Sequence, residues 1–403
     1  MVETARSEDG VSEVDMRDIS SDTDDLRGCL LLYAGSVRPG GGVAVVDTLV
    51  RRILAETEMN VRIVLGHRQA EAILKRSYER EPRVAFTLFL PTVSAAVRTL
   101  ASKIRFLSWS YGAKNRSPTV LLSINFWMPS MCPSVTMHVN LLNFVSKGGD
   151  RPGKRLRDLD ARIACRRSTV NAFESRYLLD TASARLGRPI RASHILYAGL
   201  DSTFTRNDVN ERPEPGRLAM VSSMQPHKDN DTVLDALAML CRDAPDIPWT
   251  LQVFGGQHER QWAPFELTAK RLGIAERVSV HGPIAKTELT LELARCVCLV
   301  SASRMESFAM VPLEAMASGC PAVTTDVSSM PESLGEAAVM VAAGDAQAMA
   351  ASVTRLARDP IERSKRIAAG RQRAAAFDEV SLRGQLEQVL RTAMNASRRQ
   401  VRR

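Results

Sequence analysis

The feature that most limits how this chain can fold is an alternation, repeated along its 403 residues, of short aliphatic runs with segments of helical period. The run CLLLYA at Cys29–Ala34 predicts a buried strand, Val43–Glu56 a helix with an apolar stripe, and Val61–Leu65 the next strand. This order is typical of a parallel sheet covered by helices on both faces. Further strands of this series are predicted at Thr119–Ile124, Ser134–His138, Ser168–Ala172 and Ser193–Tyr197.

A second series of the same kind follows a polar segment. Leu200–Gly216 holds two prolines and has no period, and we interpret it as a linker. Two similar doubly wound halves imply a cleft between them, and ligands of such sheets bind at the carboxyl ends of the strands. In the second half, strands are predicted at Arg217–Val221, Thr250–Phe254, Val278–His281, Cys296–Val300 and Ala322–Thr324, and helices at Asp231–Arg242, Pro264–Leu272, Lys286–Ala294 and Pro312–Ser318.

The charge is distributed unevenly along the chain. Residues 1–27 contain nine acidic and three basic residues, few large aliphatic residues and no period, which predicts a disordered acidic tail. The whole chain carries a net charge of +9, so residues 28–403 carry +15. Such a field favours anionic partners, which include the phosphates of a nucleotide, a nucleic acid and an acidic membrane surface.

Cysteine usage and hydropathy indicate a cytoplasmic protein. The seven cysteines are scattered, and the N-terminus lacks the basic and then apolar segments of a secretory signal. The longest stretch without formal charge, Ser117–Ser146, contains Pro118, Pro129 and Pro133 together with several polar residues. A bilayer-spanning helix does not tolerate that combination, so no transmembrane segment is predicted.

Two glutamates eight positions apart form the most informative motif. The segment Ser303–Val323 reads SRMESFAMVPLEAMASGCPAV, with Pro312 placed where it can open a helix. Glu306 would then lie in the loop before that helix and Glu314 on its first turn, so that both carboxylates can face one ligand. Carboxylates for sugar hydroxyls beside helix-terminal amides for phosphate predict a nucleotide-sugar site. The amides are those of Ser307, Phe308 and Ala309.

This stretch resembles the E-x7-E signature of the retaining GT-B glycosyltransferases of family 4. The segment VSSMQPHKDNDTVLDAL resembles that family's phosphate-binding lysine region, and MHVNLL resembles its histidine-containing strand end. The segments that resemble the family, in chain order, are Ser36–Val46, Met137–Leu142, Val221–Leu237, His281–Ser303, Ser303–Val323 and Ser328–Val341.

The resemblance implies an α/β protein of the GT-B fold, in which two Rossmann-like doubly wound parallel-sheet domains face a central cleft. Residues 28–204 are then expected to form the N-terminal, acceptor-side domain, and residues 205–377 the C-terminal domain that binds the nucleotide sugar. Residues 378–403 are expected to form a C-terminal helix that packs back on the N-terminal domain.

The resemblance also implies roles for individual residues. Glu306 should hold hydroxyls of the donor sugar, Glu314 should hold the ribose, and Lys228 should contact the diphosphate. His138 should lie against the donor sugar near the reacting carbon, and two glycines of the first loop should let backbone approach the ligand without a Cβ in the way. The implied catalytic residues are His138, Lys228 and Glu306, and the implied donor-binding residues are Gly41, Gly42, Ser223, Lys228, Ser307, Phe308, Ala309 and Glu314.

Four positions depart from the family's pattern. Ser223 stands where many relatives place an arginine that assists Lys228, so stabilisation of the leaving group is expected to rest more heavily on Lys228. Ser307 and Ala309 stand where relatives often have glycine, which is tolerable unless these positions need a positive φ. Asn140 stands near the place where relatives commonly carry an acid after the histidine.

No metal or other cofactor is predicted, and a nucleotide diphosphate sugar is expected as co-substrate. Three Asp-x-Asp pairs occur, but one lies in the acidic tail, one on a predicted basic helix and one at a predicted helix start, where capping explains it better. The histidines show no ligand spacing. Glycines 40–42 lack the spacing and the following acid of a dinucleotide site, so an NAD site is not predicted. The pairs are Asp22/Asp24, Asp158/Asp160 and Asp229/Asp231.

The segment from Pro82 to Gly149 contains seven basic residues and no acidic one. Within it Thr99–Tyr111 can form a basic helix similar to those that rest on anionic lipid. The alternative is a helix packed on the sheet with its basic residues in solvent, and the sequence leaves both open. Lys147–Arg191 and the arginine-rich C-terminus are also basic, so an anionic membrane surface is a candidate partner.

The resemblance implies glycosyl transfer with retention at the anomeric carbon. Positive charge gathers on the sugar and negative charge on the departing diphosphate, which takes the acceptor proton, so no general base is assigned. We expect a cytoplasmic enzyme, peripheral on the inner face of the membrane, that moves a hexose or deoxyhexose from a nucleotide diphosphate sugar to a glycan. A lipid-linked acceptor of cell-surface polysaccharide biosynthesis is favoured.

Two other functions stay open. One is a soluble transferase that acts on a small acceptor, which a failure to bind anionic vesicles would favour. The other is a GT-B scaffold that binds a partner without catalysis, suggested only by Ser223, Ser307 and Ala309. Nucleic-acid binding is not expected, because no stacking aromatics or recognition motif accompany the basic charge.

Overall fold

The computed structural model describes residues 29–35, 37, 41–88, 103, 106, 120–130, 132–145, 152–205, 212–256 and 262–401. The predicted acidic tail, residues 36 and 38–40 of the predicted first glycine loop and residues 206–211 of the predicted linker lie outside these ranges. The described part contains two parallel sheets, one of seven strands and one of six. The expected pair of doubly wound parallel sheets is therefore confirmed.

The first sheet has seven strands, and the third of them in spatial order, Cys29–Ala34, is wholly buried. Its strands are β1 (Cys29–Ala34), β2 (Asn60–Leu65), β3 (Val84–Leu88), β4 (Val120–Ile124), β5 (Ser134–His138), β6 (Val170–Phe173) and β7 (Ser193–Ile195). They lie in the order β3-β2-β1-β4-β5-β6-β7, and all neighbours are parallel. The order reverses between β1 and β4, so a crevice is expected at the carboxyl ends of these strands.

The second sheet repeats this winding. Its strands are β8 (Arg217–Val221), β9 (Thr250–Phe254), β10 (Val278–Gly282), β11 (Cys298–Val300), β12 (Ala322–Thr325) and β13 (Val339–Val341). They lie in the order β10-β9-β8-β11-β12-β13 and are again parallel. The reversal between β8 and β11 places the loops after these two strands beside each other.

Helices lie in the connections between the strands. Within the described residues they are α1 (Gly41–Glu56), α2 (Arg68–Ser77), α3 (Leu142–Val145), α4 (Pro152–Arg167), α5 (Arg176–Leu186), α6 (Ser202–Thr205), α7 (Asn230–Asp243), α8 (Ala263–Arg271), α9 (Lys286–Ala294), α10 (Met310–Ala317), α11 (Met330–Leu334), α12 (Ala346–Arg358), α13 (Pro360–Ala375) and α14 (Gln385–Val401). None of the described helices is long and apolar enough to cross a membrane.

The structure differs from the sequence expectation at several boundaries. β3 and β13 were not predicted, and both are short strands at the edges of their sheets; β3 is only partly buried. The strand predicted from Ser168 begins at Val170, because the Ser168 N–H still donates to the Ala164 carbonyl at the end of α4. The predicted irregular linker contains α6, whose Phe204 is buried in the core beneath the second sheet.

The C-terminal helix α14 packs against the first domain. Its residues Leu386, Val389, Leu390 and Ala393 are buried in the same apolar cluster as strands β1 and β2. The turn before it is held as well, because Glu56 on α1 accepts the Gly384 N–H at 3.0 Å. The last helix thus completes the core of the domain at the opposite end of the sequence.

Truncation of this helix contact should destabilise the protein. We expect Leu390→Ala to lower the free energy of unfolding by about 2–5 kcal/mol, the usual cost of removing a fully buried leucine side chain. Leu267→Ala is the matched control, since Leu267 is 68% exposed on α8. Urea unfolding of the full chain measures both, and equal effects of the two substitutions would contradict the packing described here.

Candidate functional site

An ion pair lies at the carboxyl edge of the second sheet. Lys228 ends a short turn after β8, and Glu306 lies in the loop between β11 and α10. Lys228 Nζ is 2.6 Å from Glu306 Oε1, and both side chains are only partly exposed, at 22% and 18%. The two loops are also tied by the Arg304 N–H, which donates to the His227 carbonyl at 2.8 Å. The reversal of strand order thus brings two predicted site residues together.

Asp229, next to Lys228, occupies an unusual backbone conformation. Its φ is +48°, a value that aspartate adopts more readily than most residues because of its short polar side chain. Its carboxylate accepts the Thr232 hydroxyl at 2.9 Å and pairs with Arg304 at 2.8 Å. These partners account for Asp229 in the Asp229/Asp231 pair. Among the described residues no group of three histidine, cysteine or acidic side chains is arranged to hold a metal ion.

The backbone carbonyl of Ser223 is fixed by a hydrogen bond. The Asn230 side-chain amide donates to the Ser223 carbonyl at 3.0 Å, and the Asn230 oxygen accepts the Ser222 hydroxyl at 2.8 Å. His227 adds no second cation at neutral pH, because burial and the charge of Lys228 lower the pKa of its imidazole. Lys228 is therefore the cation paired directly with Glu306 in this region.

The loop after Glu306 does not require glycine. Neither Ser307 nor Ala309 has a positive φ, so the side chains at these two positions cause no backbone strain. The Ala309 N–H donates to Ser333 Oγ at 3.4 Å, whereas no acceptor among the described residues lies at the N–H groups of Ser307 and Phe308. The Phe308 side chain is buried in the domain core.

Ser307 also connects the two domains. Its Oγ accepts the Leu141 N–H at 2.9 Å, and its carbonyl accepts the Ser175 hydroxyl at 2.7 Å. Leu141 and Ser175 follow β5 and β6 of the first sheet, so the Glu306 loop contacts the carboxyl edge of that sheet. A serine where relatives often have glycine therefore supplies an interdomain hydrogen bond.

A second interdomain contact lies close by. Glu332 on α11 accepts the backbone N–H groups of Arg176 and Tyr177 at 2.7 and 2.9 Å, and the Tyr197 hydroxyl at 3.2 Å. A carboxylate from the second domain thus serves the N-terminus of α5 in the first domain, where negative charge is favoured.

Glu314 lies further along α10 than the sequence indicated. The helix begins at Met310, so Glu314 is on its second turn rather than its first. Burial raises the pKa of Glu314 to about 8; Lys286 lowers it and Asp201 raises it. Asp201 itself is bound by Lys286 at 2.6 Å and by Arg51 of the first domain at 2.7 Å. Glu314 is therefore largely neutral at pH 7 and lies near a charge cluster that joins the domains.

His138 is fully buried at the carboxyl end of β5. Its ring stacks on Phe173 with 4.5 Å between centroids, and Nε2 lies 3.0 Å from Asn171 Oδ1. Its Nδ1 has no hydrogen-bond partner among the described residues. Burial lowers the pKa of His138 to about 4, although the hydrogen bond to Asn171 acts in the opposite direction. The imidazole is therefore neutral at physiological pH.

Glu174 is a buried acid close to these residues that the sequence analysis did not single out. It follows β6, is 5% exposed, and its N–H donates to the His138 carbonyl at 3.2 Å. Burial and, to a smaller extent, the charge of Glu306 raise the pKa of Glu174 to about 8. The available signal was an acid placed directly at the end of an aliphatic strand, in VNAFES.

The remaining predicted residues have local roles in the structure. Gly41 and Gly42 are the first residues of α1. The Asn140 side chain accepts the Leu142 N–H at 3.0 Å within its own turn. Nothing among their described contacts joins these three residues to the Lys228–Glu306 pair.

Two residues of the predicted basic helix at 99–111 are described, and both face the protein. Phe106 is 1% exposed and lies edge-on to Tyr33 with 5.5 Å between ring centroids. Lys103 pairs with Asp160 of the Asp158/Asp160 pair and lies over the Trp127 ring. The burial of Phe106 agrees with the packed alternative, whereas Lys103 is paired with Asp160 and is not in solvent as that alternative expected.

Comparison with known proteins matches the second half of the chain to a family of transferases. Residues 201–373 match the family model described as Glycosyl transferases group 1, and this segment contains Lys228, Glu306 and Glu314. A D-inositol 3-phosphate glycosyltransferase of Jonesia denitrificans is 34% identical over 121 residues, which are 29% of this chain. The match covers 28% of that relative's own length.

Solved structures resemble the whole chain more fully. Sucrose-phosphate synthase from Thermosynechococcus elongatus has a TM-score of 0.73 at 15% identity, covering 91% of this chain and 99% of that one. HepE of Anabaena in complex with UDP and glucose has a TM-score of 0.69 at 16% identity, covering 90% and 99%. At this identity the likeness concerns the fold, and the expected GT-B fold is confirmed.

The burial of neutral His138 should make stability depend on pH. Its pKa is lower in the folded chain than the value of about 6.5 expected when unfolded, so its contribution is present above pH 6.5 and is lost as pH falls towards 4. We expect His138→Gln to show a shallower loss of stability across this range than the wild type. His194→Gln is the control on β7, and identical pH profiles for wild type and His138→Gln would contradict the expectation.

Proposed function

We propose that this protein is a retaining glycosyltransferase of the family 4 type that transfers a hexosyl or deoxyhexosyl group from a nucleotide diphosphate sugar to a glycan acceptor. The observation that carries the proposal is the Lys228–Glu306 pair, which unites a cation suited to a diphosphate with a carboxylate suited to sugar hydroxyls. It lies at the carboxyl edge of a doubly wound sheet, where ligands of such sheets bind.

The electrostatics of the surrounding carboxyl groups fit an anionic donor. Glu174 and Glu314 both have a pKa of about 8 because they are buried, so at pH 7 they add little negative charge. Of these three carboxyl groups, only Glu306 therefore opposes a diphosphate that approaches Lys228 with a negative charge. The free N–H groups of Ser307 and Phe308 supply further donors for its oxygens.

In the proposed reaction the bond between the anomeric carbon and the diphosphate oxygen breaks, and its electron pair leaves with the diphosphate. Lys228 stabilises that developing charge. The acceptor oxygen forms the new bond on the same face of the sugar, and its proton passes to the departing phosphate. Glu306 and His138 orient the sugar, and the neutral imidazole of His138 fits a positioning role.

The acceptor is proposed to be a lipid-linked glycan, bound at the cytoplasmic face of a membrane. This proposal rests on the net charge of +15 carried by residues 28–403 and on the acid-free segment from 82 to 149. The packing of Lys103 and Phe106 favours the second candidate, a transferase that acts on a small acceptor. Sedimentation with anionic vesicles separates the two.

Donor binding should depend on Lys228. The purified chain is screened by thermal shift against UDP-, GDP-, ADP- and dTDP-glucose, and affinity is then measured for the best donor. We expect Lys228→Ala to weaken binding by about 10- to 100-fold, which corresponds to the loss of a charged hydrogen bond of about 1.5–3 kcal/mol.

Lys365→Ala is the matched control, because Lys365 is an exposed lysine on α13 of the same domain. Its affinity should equal that of the wild type. Glu306→Gln should retain nucleoside diphosphate binding and lose turnover. The proposal is contradicted if no donor binds, or if Lys228→Ala and Lys365→Ala bind the donor equally well.

A further inference from the structure

We propose that Glu174 of the first domain binds a hydroxyl group of the sugar to be transferred, opposite Glu306 of the second domain, and so takes part in selecting that sugar. The inference deepens the proposed function and rests on it. It assigns a ligand contact to a residue for which neither the family motif nor the E-x7-E signature provides a role.

The position of Glu174 is set by the contact between the domains. Its N–H is bonded to the carbonyl of His138 at 3.2 Å. The next residue, Ser175, donates its hydroxyl to the carbonyl of Ser307 at 2.7 Å, and Ser307 follows Glu306 directly. Glu174 and Glu306 therefore each lie one residue from the same interdomain hydrogen bond, and the charge of Glu306 acts on the Glu174 carboxyl group, so the two carboxyl groups are neighbours.

Helix capping does not account for the Glu174 carboxyl group. The N-terminus of α5 is already served by Ser175, whose hydroxyl accepts the Leu178 N–H at 3.1 Å. Glu332 accepts the N–H groups of Arg176 and Tyr177. No described side chain forms a hydrogen bond or ion pair with the Glu174 carboxyl group. The Glu174 carboxyl group, which is 5% exposed and has no protein partner among the described residues, is therefore available to a ligand.

The protonation of the two glutamates makes them complementary to a hydroxyl group. Burial and the neighbouring Glu306 charge raise the pKa of Glu174 to about 8, so it is mostly a neutral acid at pH 7. Glu306 is paired with Lys228. A neutral carboxyl can donate a hydrogen bond, whereas a carboxylate only accepts. A sugar hydroxyl between them can accept from Glu174 and donate to Glu306.

The test measures how much the sugar adds to the affinity of the nucleotide. Dissociation constants are determined by calorimetry for UDP, GDP, ADP and dTDP and for their glucose conjugates, with the full chain. For the nucleotide and glucose conjugate that bind best, we define the sugar gain as the dissociation constant of the nucleotide divided by the dissociation constant of its glucose conjugate. The variants are Glu174→Ala, Glu174→Gln and the control Glu288→Gln, since Glu288 is an exposed acid on α9.

We expect Glu174→Ala to reduce the sugar gain about tenfold, as for one net hydrogen bond, while affinity for the nucleotide alone stays the same. Glu174→Gln should retain most of the gain, because an amide also donates and accepts. Glu288→Gln should equal the wild type. Equal weakening of both ligands by Glu174→Ala, or an unchanged gain, would overturn the inference.

A pH series separates ligand contact from a structural role. The charged and titratable groups around Glu174 are Glu306, Lys228 beside it, and His138, which is already neutral above pH 7. As Glu174 ionises above about pH 8, two carboxylates face the hydroxyl, so the wild-type sugar gain should fall between pH 7 and 9. The gain of Glu174→Gln should change less, and parallel profiles would overturn the inference.

Failure of the inference is distinguishable from failure of the proposed function. A wild-type chain that binds none of the eight ligands contradicts the function and the inference together. A wild-type chain that binds nucleotides through Lys228, with a sugar gain that does not depend on Glu174, contradicts the inference alone.

Discussion

The contact between the domains depends on the charges of one lysine and of the carboxyl groups near it. Lys228 pairs with Glu306 at 2.6 Å, and Glu174 and Glu314 are held largely neutral by burial. If Glu174 were ionised as well as Glu306, the repulsion between them would oppose the contact between the domains. Because Glu174 is largely neutral, the domains can meet around the ion pair. A bound diphosphate would also change this ion pair, since Lys228 can exchange the Glu306 carboxylate for a phosphate oxygen.

The domains are joined by polar contacts close to this pair. Ser307 receives hydrogen bonds from Leu141 and Ser175, Glu332 serves the N-terminus of α5, and Asp201 binds both Arg51 and Lys286. Such contacts depend on direction and distance. Water can take the place of either partner in a hydrogen bond, whereas it cannot replace the packing of buried apolar surface. The first sheet therefore contributes to the site through its strand ends, while its own stability comes from a separate apolar core that the C-terminal helix completes.

The sequence predicted what depends on period and local motif. The strands β1 and β8 have the predicted bounds, and Lys228 and Glu306, which the family resemblance assigned to one ligand, lie 2.6 Å apart. The edge strands β3 and β13 are largely apolar but have only five and three residues, and periodicity alone does not identify such short apolar runs as strands. Glu174 was missed for another reason: its burial and its proximity to Glu306, 132 positions away, exist only in the folded chain.

The most direct measurement is a crystal structure of the chain with the nucleotide diphosphate sugar that stabilises it most. The account predicts a diphosphate oxygen in contact with Lys228 Nζ, and the sugar between the carboxyl groups of Glu306 and Glu174, with the domains in contact at Ser307. A donor bound away from the carboxyl edge of the second sheet, or at that edge with the Lys228–Glu306 pair intact and no contact to either residue, would contradict it.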